Sequence, residues 1–392
     1  MSYIRNLKTA CKEAGWVFLL SRVIIVFIAY VGFAVLPQVK QQIAPECGHD
    51  ICLFYYWDAR AFVQVAHQAY NYSPYTAFFP LWPFLIHYGG RLLGGLYPLS
   101  YYLAGIILAN ICYYAALVLL YLLLDTEFDA SIARRTLFFL SFFPYAFFFF
   151  AGYSESLFLL LCLGAFVALQ SGTALSWWIA GICGFLAALT RSAGIALAVP
   201  FLVVYIQRFW LPSERNEHTW LQRINGFIPI VLIPGGLLTY MIYLGIAKGN
   251  PFIFSSVQGV YWHRHLDLPW SGWTATISLM LTNSLTSLVF EKLVVDLIFT
   301  IIPIAALVIG WRRIPLHYSL FALTLVLYTI CFPITGTEPI SSQPRFILTI
   351  FPIMVIFALW GKRERFNQTY LAVCLPMLAL NIIFFITHVW VA

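Results

Sequence analysis

The chain has 392 residues, of which 62% are hydrophobic and only 9% are charged. This composition excludes a soluble globular domain, and several apolar runs exceed the roughly 20 residues that cross a bilayer, which indicates a polytopic α-helical membrane protein. A membrane β-barrel would show short alternating segments instead. The net charge of +7 does not indicate nucleic-acid binding, because Lys and Arg are dispersed over short loops, where they report topology.

The chain begins with a short basic segment, residues 1–13, followed by a predicted membrane helix at 16–36. A cleaved signal peptide is the alternative, but the apolar run is too long for one and no small-residue cleavage site follows it. After a first outer loop at 37–98, further helices bring the expected number of crossings to about eleven. They are predicted at 99–124, 136–150, 156–169, 175–189, 195–207, 227–247, 293–310, 316–332, 346–360 and 369–391. We expect one integral membrane domain, residues 1–392.

The first outer loop contains a segment that is too polar to cross a bilayer and has the periodicity of an amphipathic helix from Arg60 to Tyr70. Such a helix is typical of the membrane interface. Its predicted apolar face comprises Phe62, Val65, Ala66, Ala69 and Tyr70, and its polar face comprises Arg60, Gln64, His67 and Gln68. A re-entrant or tilted helix is predicted at 79–93, and a second long outer loop, 248–292, contains a further candidate helix at 274–290.

Asp58 lies at the start of the amphipathic helix and is one of only 15 acidic residues in the chain. One interpretation is that its carboxylate caps the helix by accepting a backbone N–H bond. The other is that the side chain points into a cavity at the membrane surface, where a desolvated carboxylate can act as a base.

Basic residues indicate the orientation of the chain, because short cytoplasmic loops are enriched in Lys and Arg. With the N-terminus in the cytoplasm, the segments on that side hold thirteen of the 22 basic residues: Arg5, Lys8, Lys12, Arg134, Arg135, Arg208, Arg215, Arg223, Arg312, Arg313, Lys362, Arg363 and Arg365. We therefore expect both long loops to face away from the cytoplasm, in a plasma, inner or equivalent membrane.

Two cysteines, Cys47 and Cys52, lie outside the apolar segments in the sequence CGHDIC. On an oxidising side of the membrane this pair could form a disulfide. Metal binding together with His49 and Asp50 is the alternative.

On the expected topology, the ionisable residues outside the cytoplasmic loops gather at one membrane surface. Each has a structural interpretation: Glu155 as an N-terminal helix acid, Arg191 as a snorkelling side chain, and Arg345 as a headgroup anchor. Their occurrence together beside Gly, Ser and Pro turns predicts a common cavity. The candidates are Asp58, Arg60, His67, Glu155, Arg191, Arg264 and Arg345.

Three ordered motifs carry a family resemblance. WDARAF…VAHQAY…AFFPLWP resembles the WDxxxF…IAxxGY…AFFPLxP signature of the GPI mannosyltransferase II (PIG-V-like) family, and GYSESLF and ALTRSAGI resemble two later segments of that family. The chain departs from the pattern at Ala69, where the family usually has Gly, and at Ala193, where Asn often follows Arg-Ser.

The resemblance implies a GT-C-like bundle and a membrane glycosyltransferase that transfers a sugar, mannose by analogy, from a polyprenyl-phosphate carrier on the non-cytoplasmic face. The acceptor is a hydroxyl of a lipid or glycan. An acid in the first outer loop is the usual catalytic residue of such enzymes, and Asp58 matches its position. The predicted substrate-binding residues are Trp57, Arg60, His67, Glu155, Arg191, Arg264 and Arg345.

The expected chemistry requires no metal or other cofactor, because the phosphate leaving group is already stable as an anion. One carboxylate removes the proton of the attacking hydroxyl and the anomeric configuration inverts, while a guanidinium binds the departing phosphate. Two other classes remain open on the sequence: a lipid-linked-sugar transporter or flippase, and a non-catalytic membrane subunit.

Overall fold

A computed structural model describes residues 2–36, 39, 46–211 and 219–391. Within these residues the chain is built from sixteen α-helices and short 3-10 turns, and its sole β-type pairing is an isolated bridge between Arg264 and Ile334. The α-helices are α1 (Ser2–Val35), α2 (Trp57–Gln68), α3 (Leu81–Leu92), α4 (Leu99–Glu127), α5 (Ala130–Ser141), α6 (Glu155–Ser171), α7 (Ala174–Thr190), α8 (Ala198–Phe209), α9 (Trp220–Lys248), α10 (Ile253–Trp262), α11 (Ser271–Thr282), α12 (Leu288–Gly310), α13 (Leu316–Ile330), α14 (Gln343–Leu348), α15 (Phe351–Trp360) and α16 (Glu364–Ile386).

The predicted all-α polytopic membrane protein is confirmed. Among the described residues, six helical segments are long and apolar enough to cross a membrane: Asn6–Val35, Leu99–Glu127, Ser192–Phe209, Trp220–Lys248, Val289–Arg313 and Glu364–Ile386. Four apolar helices are shorter: Glu155–Ser171, Ala174–Thr190, Leu316–Ile330 and Phe351–Trp360. The expected count of about eleven crossings is not confirmed.

Two of the predicted helices are wrong as continuous elements. The segment 136–150 breaks when α5 ends at Ser141, because Pro144 has no N–H to donate and disfavours helical geometry in the residue before it. The segment 346–360 divides into α14 and α15, with Ile350 outside helical geometry at ψ 70°. Proline is well tolerated at the start of α15, where its missing N–H would have no helical partner.

The segment between α5 and α6 passes through the protein interior instead of over its surface. We call residues 142–153 the aromatic turn, because most of its rings are buried, among them Phe147, Phe148 and Tyr153. Gly152 has φ 79°, and its carbonyl accepts a 3.0 Å hydrogen bond from the Trp82 indole of α3. The aromatic turn therefore attaches the first outer loop to the bundle.

The amphipathic character of α2 is confirmed, since Phe62, Val65, Ala66 and Tyr70 are buried, whereas Arg60, His67 and Gln68 are exposed. Ala69 was predicted on the apolar face and is exposed instead. The reason is that α2 ends at Gln68 and the backbone of Ala69 leaves helical geometry, with φ 56° and ψ −154°. Before α2, Cys47 and Cys52 are joined by a disulfide.

The second long outer loop folds back on the first. It contains α10 and α11, and α11 ends at Thr282, so the predicted segment 274–290 is not a single helix. Helix α10 packs against the 3-10 turn Ser73–Ala77 of the first loop, and the Tyr240 hydroxyl of α9 donates to the Thr76 carbonyl at 2.8 Å. The isolated bridge between Arg264 and Ile334 brings the segment before α14 to the second loop as well.

Candidate functional site

Asp58 is the second residue of α2, and its carboxylate forms an ion pair instead of a helix cap. Its Oδ2 lies 2.7 Å from Nη2 of Arg345, and 22% of the Asp58 side chain is exposed. The N-cap position belongs to Tyr56, and no side-chain hydrogen bond caps the helix. The capping interpretation of Asp58 therefore has no support in the geometry.

Arg345 lies between two carboxylates that come from distant parts of the chain. Besides its contact with Asp58, its Nε donates to Oε1 of Glu155 at 2.6 Å. Burial lowers the pKa of Arg345, but the charges of Glu155 and Asp58 outweigh burial and raise the pKa above its usual value. The guanidinium is only 6% exposed, and it packs against the rings of Tyr153 at 4.8 Å and Phe148 at 5.0 Å.

Glu155 links two arginines at the start of α6. Its Oε1 accepts from Arg345 at 2.6 Å and from Nη1 of Arg191 at 2.6 Å, while its side chain has no exposed surface. A carboxylate buried to this degree is costly unless cations compensate its charge. Glu155 therefore holds Arg191 and Arg345 together from inside the protein.

Arg264 reaches the same region from the loop after α10. Its guanidinium donates to the carbonyls of Phe332 at 3.2 Å and Ser341 at 2.9 Å. The Arg264 guanidinium also lies 5.3 Å from the centre of the Phe346 ring, and the Arg191 guanidinium lies 5.6 Å from the same ring centre. Burial lowers the pKa of Arg264 to about 10, and the charge of Arg345 acts in the same direction. Arg264 therefore stays cationic at neutral pH.

These five residues form what we call the charged cluster: Asp58, Glu155, Arg191, Arg264 and Arg345. Three arginines against two carboxylates leave it with a formal charge of +1. A partly buried site with excess positive charge attracts anions, and guanidinium groups match phosphate oxygens in geometry as well as charge.

Backbone strain concentrates around the charged cluster. Five non-glycine residues in the described part of the chain have positive φ, and one of them is Ala69 at the end of α2. The other four are Trp57 (φ 52°), His263 (φ 52°), Ser342 (φ 71°) and His388 (φ 62°). Trp57 and His263 immediately precede Asp58 and Arg264. Each such residue costs about 1–3 kcal/mol, and strain of this kind clusters at functional sites.

Three of the predicted site residues do not join the ion-pair network. Arg60 forms a surface ion pair with Glu46, and His67 stacks on the ring of Tyr97 at 4.2 Å. Trp57 is 43% exposed, and its ring lies 5.2 Å from that of Trp390. The substrate-binding roles of Arg60, His67 and Trp57 stay predictions.

The residues that the sequence analysis missed are aromatic. Phe148, Tyr153 and Trp390 surround the Arg345 guanidinium, with Trp390 at 5.8 Å. Tyr153 belongs to the GYSESLF motif and offered a signal, whereas Trp390 fell inside the membrane helix predicted at 369–391, which in the structure ends at Ile386.

A separate cavity of about 580 Å³ lies between α8 and α9, away from the charged cluster. Its lining is almost entirely apolar and includes Trp210, Trp220 and Leu238, with Arg223 as its charged member. Among the described residues its lining has no carboxylate that could serve as the base of the expected chemistry.

The fold is that of a GT-C-like membrane protein, as two solved structures show. The apo oligosaccharyltransferase of Archaeoglobus fulgidus matches with a TM-score of 0.50 and 13% identity, over 97% of this chain and 56% of that one. ArnT from Cupriavidus metallidurans, solved bound to undecaprenyl phosphate, matches with a TM-score of 0.50 and 15% identity, over 91% and 62%. The chain thus spans less than two thirds of either protein. No curated protein matches it.

The sequence model of the Mannosyltransferase (PIG-V) family matches residues 40–264, more than half of the chain. The chain belongs to this family, and the resemblance inferred from its motifs is confirmed. The matched region includes Asp58, Glu155, Arg191 and Arg264, whereas Arg345 lies beyond it.

Proposed function

We propose that the protein is a membrane glycosyltransferase that moves a sugar, mannose, from a polyprenyl-phosphate carrier to a hydroxyl group of a lipid or glycan acceptor. The observation that carries the proposal is the position of Arg345, buried between Asp58 and Glu155 in a cluster with excess positive charge. Membership of the mannosyltransferase family supports the reaction class, and the similarly folded ArnT binds a polyprenyl phosphate, undecaprenyl phosphate.

The arginines of the charged cluster bind the phosphate of the donor. Arg345 and Arg264 both have a planar guanidinium with several N–H donors, which suits two parallel bonds to phosphate oxygens. The phosphate leaves as a stable anion, so the arginines have only to position it and to compensate its charge. No residue is needed to protonate the leaving group.

Asp58 is the base of the proposed reaction. Its carboxylate is the more exposed of the two acids in the cluster, at 22% against none for Glu155, so it alone can meet an incoming hydroxyl. As the hydroxyl oxygen attacks the anomeric carbon, the C–O bond to phosphate breaks and Asp58 takes the hydroxyl proton. Attack from the side opposite the phosphate inverts the anomeric configuration.

Donor binding has a second role in this proposal, which is to release Asp58 from its ion pair with Arg345. In the structure the Asp58 carboxylate contacts Nη2 of Arg345 at 2.7 Å. A donor phosphate that binds Arg345 competes with Asp58 for the same guanidinium, and its binding releases the carboxylate toward the acceptor. Glu155 keeps its contact with Nε of Arg345 and holds the arginine in position during this exchange.

A transporter or flippase for lipid-linked sugars is the alternative from another class. Such proteins place ionisable residues near the membrane midplane on broken helices. Here Asp58 and Glu155 lie at the beginnings of helices, and Arg264 comes from a loop, which favours a site at the membrane surface. A flippase would also return its lipid substrate chemically unchanged.

The test is a transfer assay with purified protein in liposomes that contain undecaprenyl-phosphate [³H]mannose and a total lipid extract as the source of acceptor. We expect label to move to a new lipid or glycan product and free undecaprenyl phosphate to appear in equal amount. Determination of the product's anomeric configuration by NMR tests inversion. Relocation of intact donor across the bilayer without a new product would support the flippase instead.

A further inference from the structure

The C-terminal residues return to the charged cluster after the last helix. Helix α16 ends at Ile386, and His388 adopts a left-handed backbone conformation, with φ 62°. This turn redirects the chain so that His388 packs on the ring of Tyr56, with 3.7 Å between ring centres, and Trp390 reaches Arg345. We call residues 387–391 the C-terminal segment.

Trp390 contacts three parts of the site at once. Its ring centre lies 5.2 Å from that of Trp57 in an edge-to-face arrangement, 5.8 Å from the Arg345 guanidinium and 6.4 Å from the ring of Phe148. Trp57 in turn is the residue next to Asp58. The two tryptophans, which we call the tryptophan pair, therefore connect the proposed base with the proposed phosphate ligand.

The tryptophan pair is accessible, although both rings are large and apolar. Trp57 is 43% exposed and Trp390 is partly exposed, whereas the neighbouring rings of Phe148 and Tyr153 are buried. Both tryptophans depend on strained backbone, at Trp57 itself and at His388, two residues before Trp390. A fold that maintains strain on both sides of an exposed aromatic pair favours a binding role over simple packing.

We infer that the tryptophan pair binds the sugar ring of the lipid-linked donor, with Trp390 as a specificity-determining residue supplied by the C-terminal segment. In a sugar phosphate the sugar is bonded directly to the phosphate, and the pair lies beside both proposed functional groups: Trp390 contacts Arg345, the proposed phosphate ligand, and Trp57 precedes Asp58, the proposed base. Flat aromatic faces provide a large apolar surface to the C–H groups of a pyranose, and the indole N–H adds a polar contact. This inference rests on the proposed function.

The experiment compares two ligands that differ only in the sugar. Equilibrium binding of undecaprenyl phosphate and of undecaprenyl-phosphate mannose is measured for the wild-type protein and for Trp390→Leu in detergent or nanodiscs. We expect Trp390→Leu to weaken binding of the mannose-bearing lipid by about tenfold, which corresponds to about 1.4 kcal/mol. Affinity for the sugar-free lipid should change less than twofold.

Trp390→Phe and Trp178→Leu complete the design. Phe keeps an aromatic face, so Trp390→Phe should retain most of the preference for the mannose-bearing lipid even where Trp390→Leu folds poorly. Trp178 is an exposed tryptophan of α7, 38% exposed, and its replacement should leave both affinities unchanged.

Two results would overturn the inference while leaving the proposed function intact. Equal weakening for both lipids would mean that Trp390 acts only by positioning Arg345, and unchanged binding of both lipids would mean that the pair has no part in recognition. If the wild-type protein binds neither lipid, the proposed function itself fails.

Discussion

Arg345 pairs with Asp58 at 2.7 Å and with a second carboxylate, Glu155. When the charge of Asp58 is removed, Arg345 still has Glu155 as a partner, so the stability of the fold depends only partly on Asp58. Asp58→Asn preserves size and an acceptor oxygen but removes the proton acceptor. We expect the transfer rate to fall by about two to four orders of magnitude, the range for loss of a general base. Thermal stability should stay close to that of the wild type.

Glu46→Gln is the matched control for Asp58→Asn. Glu46 is an acid of the same loop that pairs with Arg60 at the surface, away from the charged cluster. Its replacement should leave the transfer rate near the wild-type value. A fully active Asp58→Asn protein would remove Asp58 from the role of base.

Glu155→Gln should behave differently, because Glu155 is completely buried and compensates two arginines. Removal of one partner of a buried ion pair costs about 3–5 kcal/mol. We therefore expect a clear drop in thermal unfolding temperature together with loss of transfer, measured by differential scanning fluorimetry and the transfer assay. The opposite outcome is a Glu155→Gln protein of normal stability without activity, together with an active Asp58→Asn protein. That outcome would identify Glu155 as the base and give Asp58 the structural role.

The partners of Arg60 and Asp58 show how far the sequence could predict which residues of the site contact each other. Arg60 was predicted to share a cavity with Asp58, although residues two apart on a helix do not face each other. In the structure the two residues have different partners, since Asp58 pairs with Arg345 and Arg60 pairs with Glu46. The pairing of Asp58 with Arg345 was not predictable, because no local rule connects residues so distant in the chain.

At the scale of elements, the end of α2 explains a departure from the family pattern. Ala69 occupies the position where the family usually has Gly, and its backbone has φ 56° and ψ −154°, a region that is close to glycine-only. We predict that Ala69→Gly stabilises the protein by about 1 kcal/mol, since glycine adopts this conformation without strain. Thermal unfolding of the purified protein measures the change.

Ala66→Gly serves as the comparison for Ala69→Gly. Ala66 lies inside α2 on its buried face, where glycine costs roughly 0.5–1 kcal/mol in lost helix propensity alone. The two substitutions should therefore shift the unfolding temperature in opposite directions. A parallel decrease would show that the Ala69 backbone carries no strain that glycine relieves.

Hydrophobic periodicity predicted helices correctly where only one face of the helix is buried. It failed where the whole segment is buried. The alternating faces of α2 were readable from the sequence, because its polar residues mark the exposed side. The aromatic turn is apolar on every side, so its residues matched a membrane helix equally well, and only Pro144 signalled the break after Ser141. Burial of irregular backbone there depends on tertiary contacts such as the bond from Trp82 to Gly152.

At the scale of the whole molecule, ion pairs sort the connecting segments into two groups. The charged cluster joins segments that were all predicted on the non-cytoplasmic side. A second set of contacts joins segments predicted in the cytoplasm: Arg134 with Glu13 at 3.4 Å, and Lys362 with Asp129 at 4.0 Å. The structure thus groups segments as the charge bias did, while the direction in which each group faces stays a prediction.

Cysteine labelling tests that direction, and the structure determines where probes can be placed. Ser213, a natural choice in the loop before α9, lies outside the described residues, and Gln343 is buried with its amide bonded to the Thr329 carbonyl at 2.6 Å. Two exposed threonines are better matched: Thr126, near the end of α4, and Thr337, in the segment before α14. The six free cysteines would be replaced and the Cys47–Cys52 disulfide retained.

In intact cells, a membrane-impermeant maleimide should label Thr337→Cys at once and Thr126→Cys only after the membrane is permeabilised. This result follows from the predicted topology, in which the segments on the same side as Thr126 together hold thirteen of the 22 basic residues, an excess that favours the cytoplasm. It would place Arg345, a few residues after Thr337, on the side away from the cytoplasm. The opposite labelling pattern would invert the topology, move the charged cluster to the cytoplasmic face and require donors that are presented there.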